Sequence, residues 1–434
     1  MSGAGVTERA ADEVVELCRG LIRLDSSNPT SNERKVAEFV AEQLTDAGLT
    51  PAIFESAPGR ASVVARWSGA DSSRDALLIH GHLDVVPANA EDWQVDPFSG
   101  EVKDGSVWGR GAVDMKDMDA MTLAVLKDWV REGKLPPRDV VFAFVADEEA
   151  GGTYGAHHLV DHHADLFEGC TEAVSEVGGF SMTIGGKRLY AIQTAEKGIA
   201  WLRLVATGRA GHGSMLNDDN AVTAVAEAVA RVGRHRFPIE LSATVEAFLR
   251  EICVALDLPF AADDVEGVLA KLGPLAKMIG ATVRHTANPT MLDAGYKQNV
   301  IPGVAHAYID CRFLPGGLDR FNAELASIVG PDIAIEVVQH QVAYETTFDG
   351  SLVAAMDAAI LAEDPEGRTV PYCMSGGTDA KSFSELGMRC FGFSPLKLPP
   401  DLDFMGLFHG VDERVPIDAL QFGVRALSRF LAAT

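Results

Sequence analysis

Closely spaced cysteines are missing from this sequence. The six cysteines, Cys18, Cys170, Cys253, Cys311, Cys373 and Cys390, are scattered over 434 residues without a CxxC pair. That argues against a thiolate zinc knuckle or a thioredoxin-type site. A disulfide framework is equally out of place in a chain of this size. Positive charge is also scarce: 37 Lys and Arg stand against 62 Asp and Glu, a formal net charge of −25. A nucleic-acid partner needs a basic face that displaces counterions, and an anionic membrane surface asks for the same. Neither is expected as a partner. The first residues, Met1 to Glu13, lack the basic and apolar regions of a signal peptide. No apolar run is long enough to span a bilayer, so the expectation is a soluble, cytoplasmic protein. There is no internal repeat and no low-complexity linker.

The rest of the composition is that of a globular protein, 47% hydrophobic and 23% charged. The length calls for two domains rather than one core. Apolar spacing predicts helices over residues 8–24, from a cap at Thr30 or Ser31 to about Ala47, and over 114–130. Strands are expected at 61–67, 76–79, 139–145 and 171–174, with a helix over 152–163. This alternation makes an α/β layered domain. Near Ala195 the character changes. Strands at 199–206, 286–292, 304–313 and 333–338, with helices at 220–234 and 318–328, follow the split βαβ order of a ferredoxin-like α+β domain. A helical insertion of unknown purpose interrupts it at about 238–280. The α/β pattern returns at Tyr344 and runs to a helix at 418–431. The expected division is therefore 1–195 with 343–434 as one domain and 196–342 as an insert.

The chemistry collects where strands should end. After Ala76–Ile79 come His80, His82 and Asp84; after 139–145 come Glu148 and Glu149; further on stand Glu176 and His409, and Asp114 follows a glycine turn at Gly109 and Gly111. Ligands of open α/β sheets bind at the carboxyl ends of strands. Two imidazoles and several carboxylates suit Zn²⁺, Mn²⁺ or Co²⁺. Asp84 can take the second ring N–H of His82 and fix its tautomer. The adjacent Glu148 and Glu149 are costly beside a buried strand unless positive charge neutralises them. Their side chains can diverge, one to a metal and one to a water.

Several stretches, in order, resemble the M20 metallopeptidase family of aminoacylases, carboxypeptidases, dipeptidases and related deacylases. They are 82–87 (HLDVVP), 108–116 (WGRGAVDMK), 147–152 (DEEAGG), 175–179 (SEVGG), 211–214 (GHGS), 299–302 (NVIP), 375–379 (SGGTD) and His409. Jointly they are specific; singly they are not. The resemblance implies a zinc-peptidase-type catalytic domain with an inserted lid and dimerisation domain, and a homodimer formed through that insert. It implies two divalent ions, zinc first with cobalt or manganese possible, about 3.5–4 Å apart. Asp114 would bridge them, His82 and Glu176 would complete one site, and Glu149 and His409 the other. Asp84 would orient His82. Glu148 would act as general base toward the attacking water and then return the proton to the leaving amine. A cis peptide is implied at Asp114–Met115. His212 would stabilise the oxyanion from the insert of a partner subunit. Asn299 would polarise the substrate. Arg312 would grip a substrate carboxylate, which the backbone of Gly376, Gly377 and Thr378 would also meet.

The implied activity is hydrolysis of an amide or peptide bond in a small carboxylate-bearing substrate, an N-acyl amino acid or short peptide. A second reading is hydrolysis of a carbamoyl or ureido C–N bond; a third is a metal-free binding or scaffolding relative, which would have lost ligands or base. The loop after His212 lacks the proline that many relatives carry. His80, His157, His158, His162 and His163 are poor ligand candidates. Trp93, Phe98 and Trp108 are expected to pack the loop before Asp114 rather than touch substrate.

Overall fold

The computed structural model describes residues 5–29, 33–273 and 275–434. The chain divides into two compact units, Met1–Thr194 with Thr346–Tyr372 and Thr378–Thr434, and Ala195–Glu345 with Cys373–Gly377. The short segment Cys373–Gly377, expected with the first unit, clusters with the second; Met374 O accepts the backbone N–H of Lys197 at 3.0 Å.

The sheet of the first unit runs in the order Ala52–Ala57, Arg60–Trp67, Val140–Val145, Ala76–His82, Cys170–Ser175, Arg389–Gly392 and Lys187–Glu196. Ala76–His82 lies near its middle, parallel to Val140–Val145 on one side and to Cys170–Ser175 on the other. All seven residues of that strand are buried. Covered on both faces, a parallel strand must be apolar throughout, and Ala76–Ile79 is. The strand was expected to end at Ile79. It continues through both histidines, with His82 opposite Val145. The polar residues deceive because the site they serve lies inside the sheet's end rather than beyond it. Gly81 makes this possible: a Cβ there would collide with Asp119 Oδ1 and Met115 of the neighbouring helix.

Helices Glu8–Ile22, Lys116–Arg131 and Ile417–Ala433 pack on one another. The first turns a stripe to the core, Val14, Leu17, Leu21 and Ile22, whereas Lys116–Arg131 is buried nearly all round, without a break from Lys116 to Leu126. Thr7 caps that helix. The second helix is Glu33–Asp46; the expected caps Thr30 and Ser31 lie outside the described residues. Strand Lys187–Glu196 escaped the periodicity reading. Most of it is buried on both faces and includes Gln193, Thr194 and Glu196, so it neither alternates nor reads as apolar.

The second unit has an antiparallel sheet in the order Thr286–Ala294, Val304–Phe313, Gly198–Thr207 and Ile333–Gln341. Leu202, Leu204 and Ala206 with Ala305, Ala307 and Ile309 turn inward at every second residue. They pack with Val225, Ala228 and Val232 of helix Ala221–Arg234 and with Phe321 and Leu325 of helix Leu318–Val329. The expected helical insertion consists of Ala243–Ala255, Val265–Leu269 and Leu275–Gly280.

Candidate metal centre

The first unit gathers five of the singled-out side chains at one end of its sheet. His82 Nε2 is 3.1 Å from Asp114 Oδ1 and 3.6 Å from Glu176 Oε2. His409 Nε2 is 3.1 Å from Asp114 Oδ2 and 3.0 Å from Glu149 Oε2. Asp114 thus shows one carboxylate oxygen to each imidazole. The ligand atoms of His82, Asp114 and Glu176 all lie within 4.8 Å of one another, and so do those of Asp114, Glu149 and His409. The Asp114–Met115 peptide is cis.

The electrostatics are those of too much negative charge in one dry place. Burial pushes the Glu176 carboxyl up to about 7 despite the opposing His82. Burial also drives Glu148 well above the usual carboxylate range; His82 opposes it, and the carboxylates of Glu176, Glu149 and Asp379 add to it. Glu149 is raised by burial and by Asp114. The histidines move the other way. Burial disfavours a charged His82, but Glu176 and Asp114 overcome it and hold its pKa well above normal. Hydrogen bonds to Asp114 and Glu149 lift His409 to about 10. Protons on both imidazoles therefore supply the positive charge the carboxylates demand. Glu149 Oε1, buried, has no hydrogen-bond partner among the described residues. Two overlapping sets of imidazole and carboxylate donors, a shared aspartate and an orphaned carboxylate oxygen fit a pair of divalent cations.

Asp84 does its work differently from the expectation. His82 Nδ1 lies 2.9 Å from the backbone carbonyl of Asp84, while the carboxylate Oδ1 stands 3.7 Å away. The carboxylate instead accepts the backbone N–H groups of Glu148 at 3.1 Å and Glu149 at 3.0 Å. The physical reason is supply: the turn carrying the two glutamates has backbone donors that a buried site must satisfy. Asn28 also donates to Asp84 through its side chain. Arg60 donates in turn to Asn28 and Glu33, and sits 3.2 Å from Asp147. Asp147, with φ +71, opens the 3₁₀ turn Glu148–Ala150, and its Oδ2 accepts Tyr154 N–H at 2.9 Å.

The remaining candidates fall elsewhere. His212, Asn299, Arg312, Gly376 and Gly377 belong to the second unit, and Thr378 to the first. Gly211–His212 pairs with Val300–Ile301, and Gly213 N donates to Asn299 O at 2.9 Å, so His212 and Asn299 are neighbours. Both are exposed. Arg312 is held by Asp310, with its Nε at 2.6 Å and Nη2 at 3.0 Å. His80 is buried with both ring nitrogens unpartnered among the described residues, and burial pushes its pKa down to about 3. Trp93 and Trp108 are buried, Trp93 against Arg110. Arg60, Asn28, Arg110 and Glu413 were not singled out from the sequence. Arg110 and Glu413 carried a signal, one lying inside the glycine turn before Asp114 and the other four residues after His409; Arg60 carried none.

An α/β sheet at whose end two imidazoles and two carboxylates gather around a shared aspartate, with Glu148 next in sequence to one of them, is the build of a two-metal hydrolase. The chain belongs to peptidase family M20/M25/M40, whose sequence model matches residues 78–433. It is accordingly an enzyme, a hydrolase of amide or peptide bonds. The N-fatty-acyl-amino acid synthase/hydrolase PM20D1 of Homo sapiens is 30% identical over 380 residues, covering 82% of this chain and 74% of the relative. Aminoacylase-1 of Sus scrofa is 27% identical over 430 residues, covering 96% and 94%. Among solved structures, the M20 family metallo-carboxypeptidase Sso-CP2 from Sulfolobus solfataricus shares the fold, with a TM-score of 0.75 and 17% identity over 97% of this chain and 99% of that one. No helix among the described residues is long and apolar enough to cross a membrane.

Proposed function

We propose that this enzyme cleaves the amide or peptide bond of a small substrate with a free carboxylate, an N-acyl amino acid or a short peptide. The observation that carries the reading is Asp114, shared between the two donor sets. His82, Asp114 and Glu176 would hold one divalent ion and Asp114, Glu149 and His409 the other, with zinc favoured by the ligand types and cobalt or manganese compatible. When bound, such a pair polarises the scissile carbonyl and lowers the pKa of a water.

The chain's own groups do the rest. Glu148 is the proton carrier: as carboxylate it takes the proton of the attacking water, and as acid it returns that proton to the departing amine. Its neighbours favour the second state, because burial and nearby carboxylates raise its pKa. Cations close by would favour the first. Asp84 fixes the backbone from which Glu148 projects. His212 is assigned to the tetrahedral oxyanion and Asn299 to the substrate carbonyl. Arg312 and the backbone of Gly376, Gly377 and Thr378 are assigned to the substrate carboxylate. The Ala195–Glu345 unit is assigned the role of lid and of homodimer contact. Its sheet-edge strands expose Met291, Leu292, Val337 and Val338, which supports an interface. The cytoplasm is the compartment consistent with six cysteines buried as thiols.

The test is hydrolysis of N-acetyl, N-succinyl and longer N-acyl amino acids, dipeptides and carbamoyl amino acids, with Glu148→Gln in parallel. The expected result is turnover of one amide class and a loss in kcat of about 10²–10⁴-fold in the variant, with two ions still bound. A variant as active as the parent removes Glu148 from the mechanism. Turnover of carbamoyl substrates alone moves the substrate class.

A further inference from the structure

A buried ion pair lies behind the two loops that carry Asp114 and His409. Arg110 is 4% exposed and Glu413 0%. Glu413 accepts Arg110 Nη1 at 2.7 Å, Gly111 N–H at 3.0 Å and Val113 N–H at 2.8 Å. Its backbone carbonyl accepts Gly109 N–H at 3.0 Å. The other arm of the guanidinium, Nη2, donates to Gly410 O at 3.0 Å and reaches His409 O at 3.5 Å. Trp93 covers the guanidinium, its ring centroid 5.2 Å away. Residues 109–113 and the backbone at His409 are therefore fastened to the same two side chains.

The two donor sets differ in what holds them. His82 ends a central strand, and Glu176 directly follows strand Cys170–Ser175. His409 stands in a stretch without helix or strand, at φ +57, with its side chain 55% exposed. Nothing periodic fixes it. A buried ion pair is poor evidence for stability as such, because desolvation takes back most of the attraction. A planar fork that ties a carboxylate to a carbonyl of another loop is well suited to setting position.

We propose that Arg110 and Glu413 are positioning residues for the metal centre, and that Arg110 sets the affinity of the ion held by Asp114, Glu149 and His409. This rests on the two-ion reading above. Groups behind metal ligands typically govern affinity by 10–100-fold. Arg110→Lys keeps a charge opposite Glu413, but one ammonium cannot reproduce the fork that joins Glu413 to Gly410 O.

The experiment titrates the metal-stripped full-length protein with Zn²⁺ and Co²⁺ by calorimetry, with the Co²⁺ visible absorption as a second readout. Thermal melting reports folding. The parent is expected to take two ions. Arg110→Lys is expected to melt within a few degrees of the parent, to bind one ion as tightly, and to bind the second at least tenfold more weakly with an altered Co²⁺ spectrum. If Arg110→Lys does not fold, the double variant R110Q/E413Q, which removes both buried charges together, makes the same comparison. Two ions at parental affinity in a folded variant, with the parent also binding two, overturns the positioning role alone. A parent that binds fewer than two overturns the two-ion reading, and the proposal with it.

Discussion

Lys197 shows at the scale of one residue how this fold treats a buried charge. The side chain is buried, and its Nζ donates to Ala281 O at 2.8 Å, Arg284 O at 2.8 Å and Thr286 Oγ1 at 3.2 Å. Burial pushes its pKa down to about 7; the charge of Arg312 adds to this, against Cys373 and Asp310. The unfolded chain therefore binds more protons here than the folded chain between about pH 7 and the ordinary lysine range near 10. Stability rises with pH wherever the unfolded state holds the extra proton. Relative to Lys197→Met, the parent should gain on the order of 1 kcal/mol per pH unit across that window. Denaturant unfolding of both proteins at pH 7, 8 and 9 measures it. A pH-independent difference between the two would mean that Lys197 keeps its proton at an ordinary pKa. His80 goes the same way and further: held neutral by burial, it contributes no charge beside His82.

Among the elements, the turn Glu148–Ala150 deserves the next test, because it is short, irregular and carries the proposed base. It is positioned from outside, by the carboxylate of Asp84 on two consecutive backbone N–H groups and by Arg60 through Asp147. Asp84→Asn keeps the shape but replaces one acceptor oxygen with a donor. One backbone N–H then faces another N–H, and the turn must shift. The expected effect is a fall in kcat of roughly 10–100-fold with KM little changed and a melting temperature close to the parent's. A variant that loses KM and keeps kcat would place Asp84 in substrate binding instead. These supports also mark the limit of what could be read from the chain. His82, Glu149, Glu176 and His409 were legible because metal-binding residue types follow apolar runs in family order. Arg110 and Glu413 were legible only through their places in the glycine turn and after His409, and Arg60 was not legible at all, because a charged residue reads as surface until its burial is seen. Strand Ala76–His82 was legible in its apolar half and hidden in its histidine half. Strands Gly198–Thr207 and Val304–Phe313 of the second unit were legible because one face is buried and the other is not; Lys187–Glu196, mostly buried on both, was not.

For the whole molecule, the metal centre makes stability and pH inseparable. Without ions, Glu176 titrates at about 7 and His409 at about 10, each above its unfolded value. Groups raised in the folded state contribute stability that is complete below the unfolded pKa and is lost as pH rises through the folded one. For Glu176 the loss falls between about pH 4 and 7, and for His409 between about 6.5 and 10. Both run the same way. Asp114, lowered by its two histidines against its own burial, runs the opposite way, but its window lies below pH 4. The share of the metal-free protein's stability that comes from the metal centre should therefore fall as the pH rises from 5 to 9, against the opposite contribution of Lys197 above pH 7. Divalent ions reverse the trend, because they bind deprotonated ligands and their apparent affinity rises with pH. Whatever binds only the folded state stabilises it by mass action. The difference in melting temperature between zinc-loaded and chelated protein should then be small at pH 5 and widen toward pH 8. Calorimetry in buffers of different ionisation enthalpy should show protons released on loading at pH 7. Equal melting of loaded and stripped protein across this range, with no proton release, would mean that the carboxylates around Asp114 are not neutralised by metal at all.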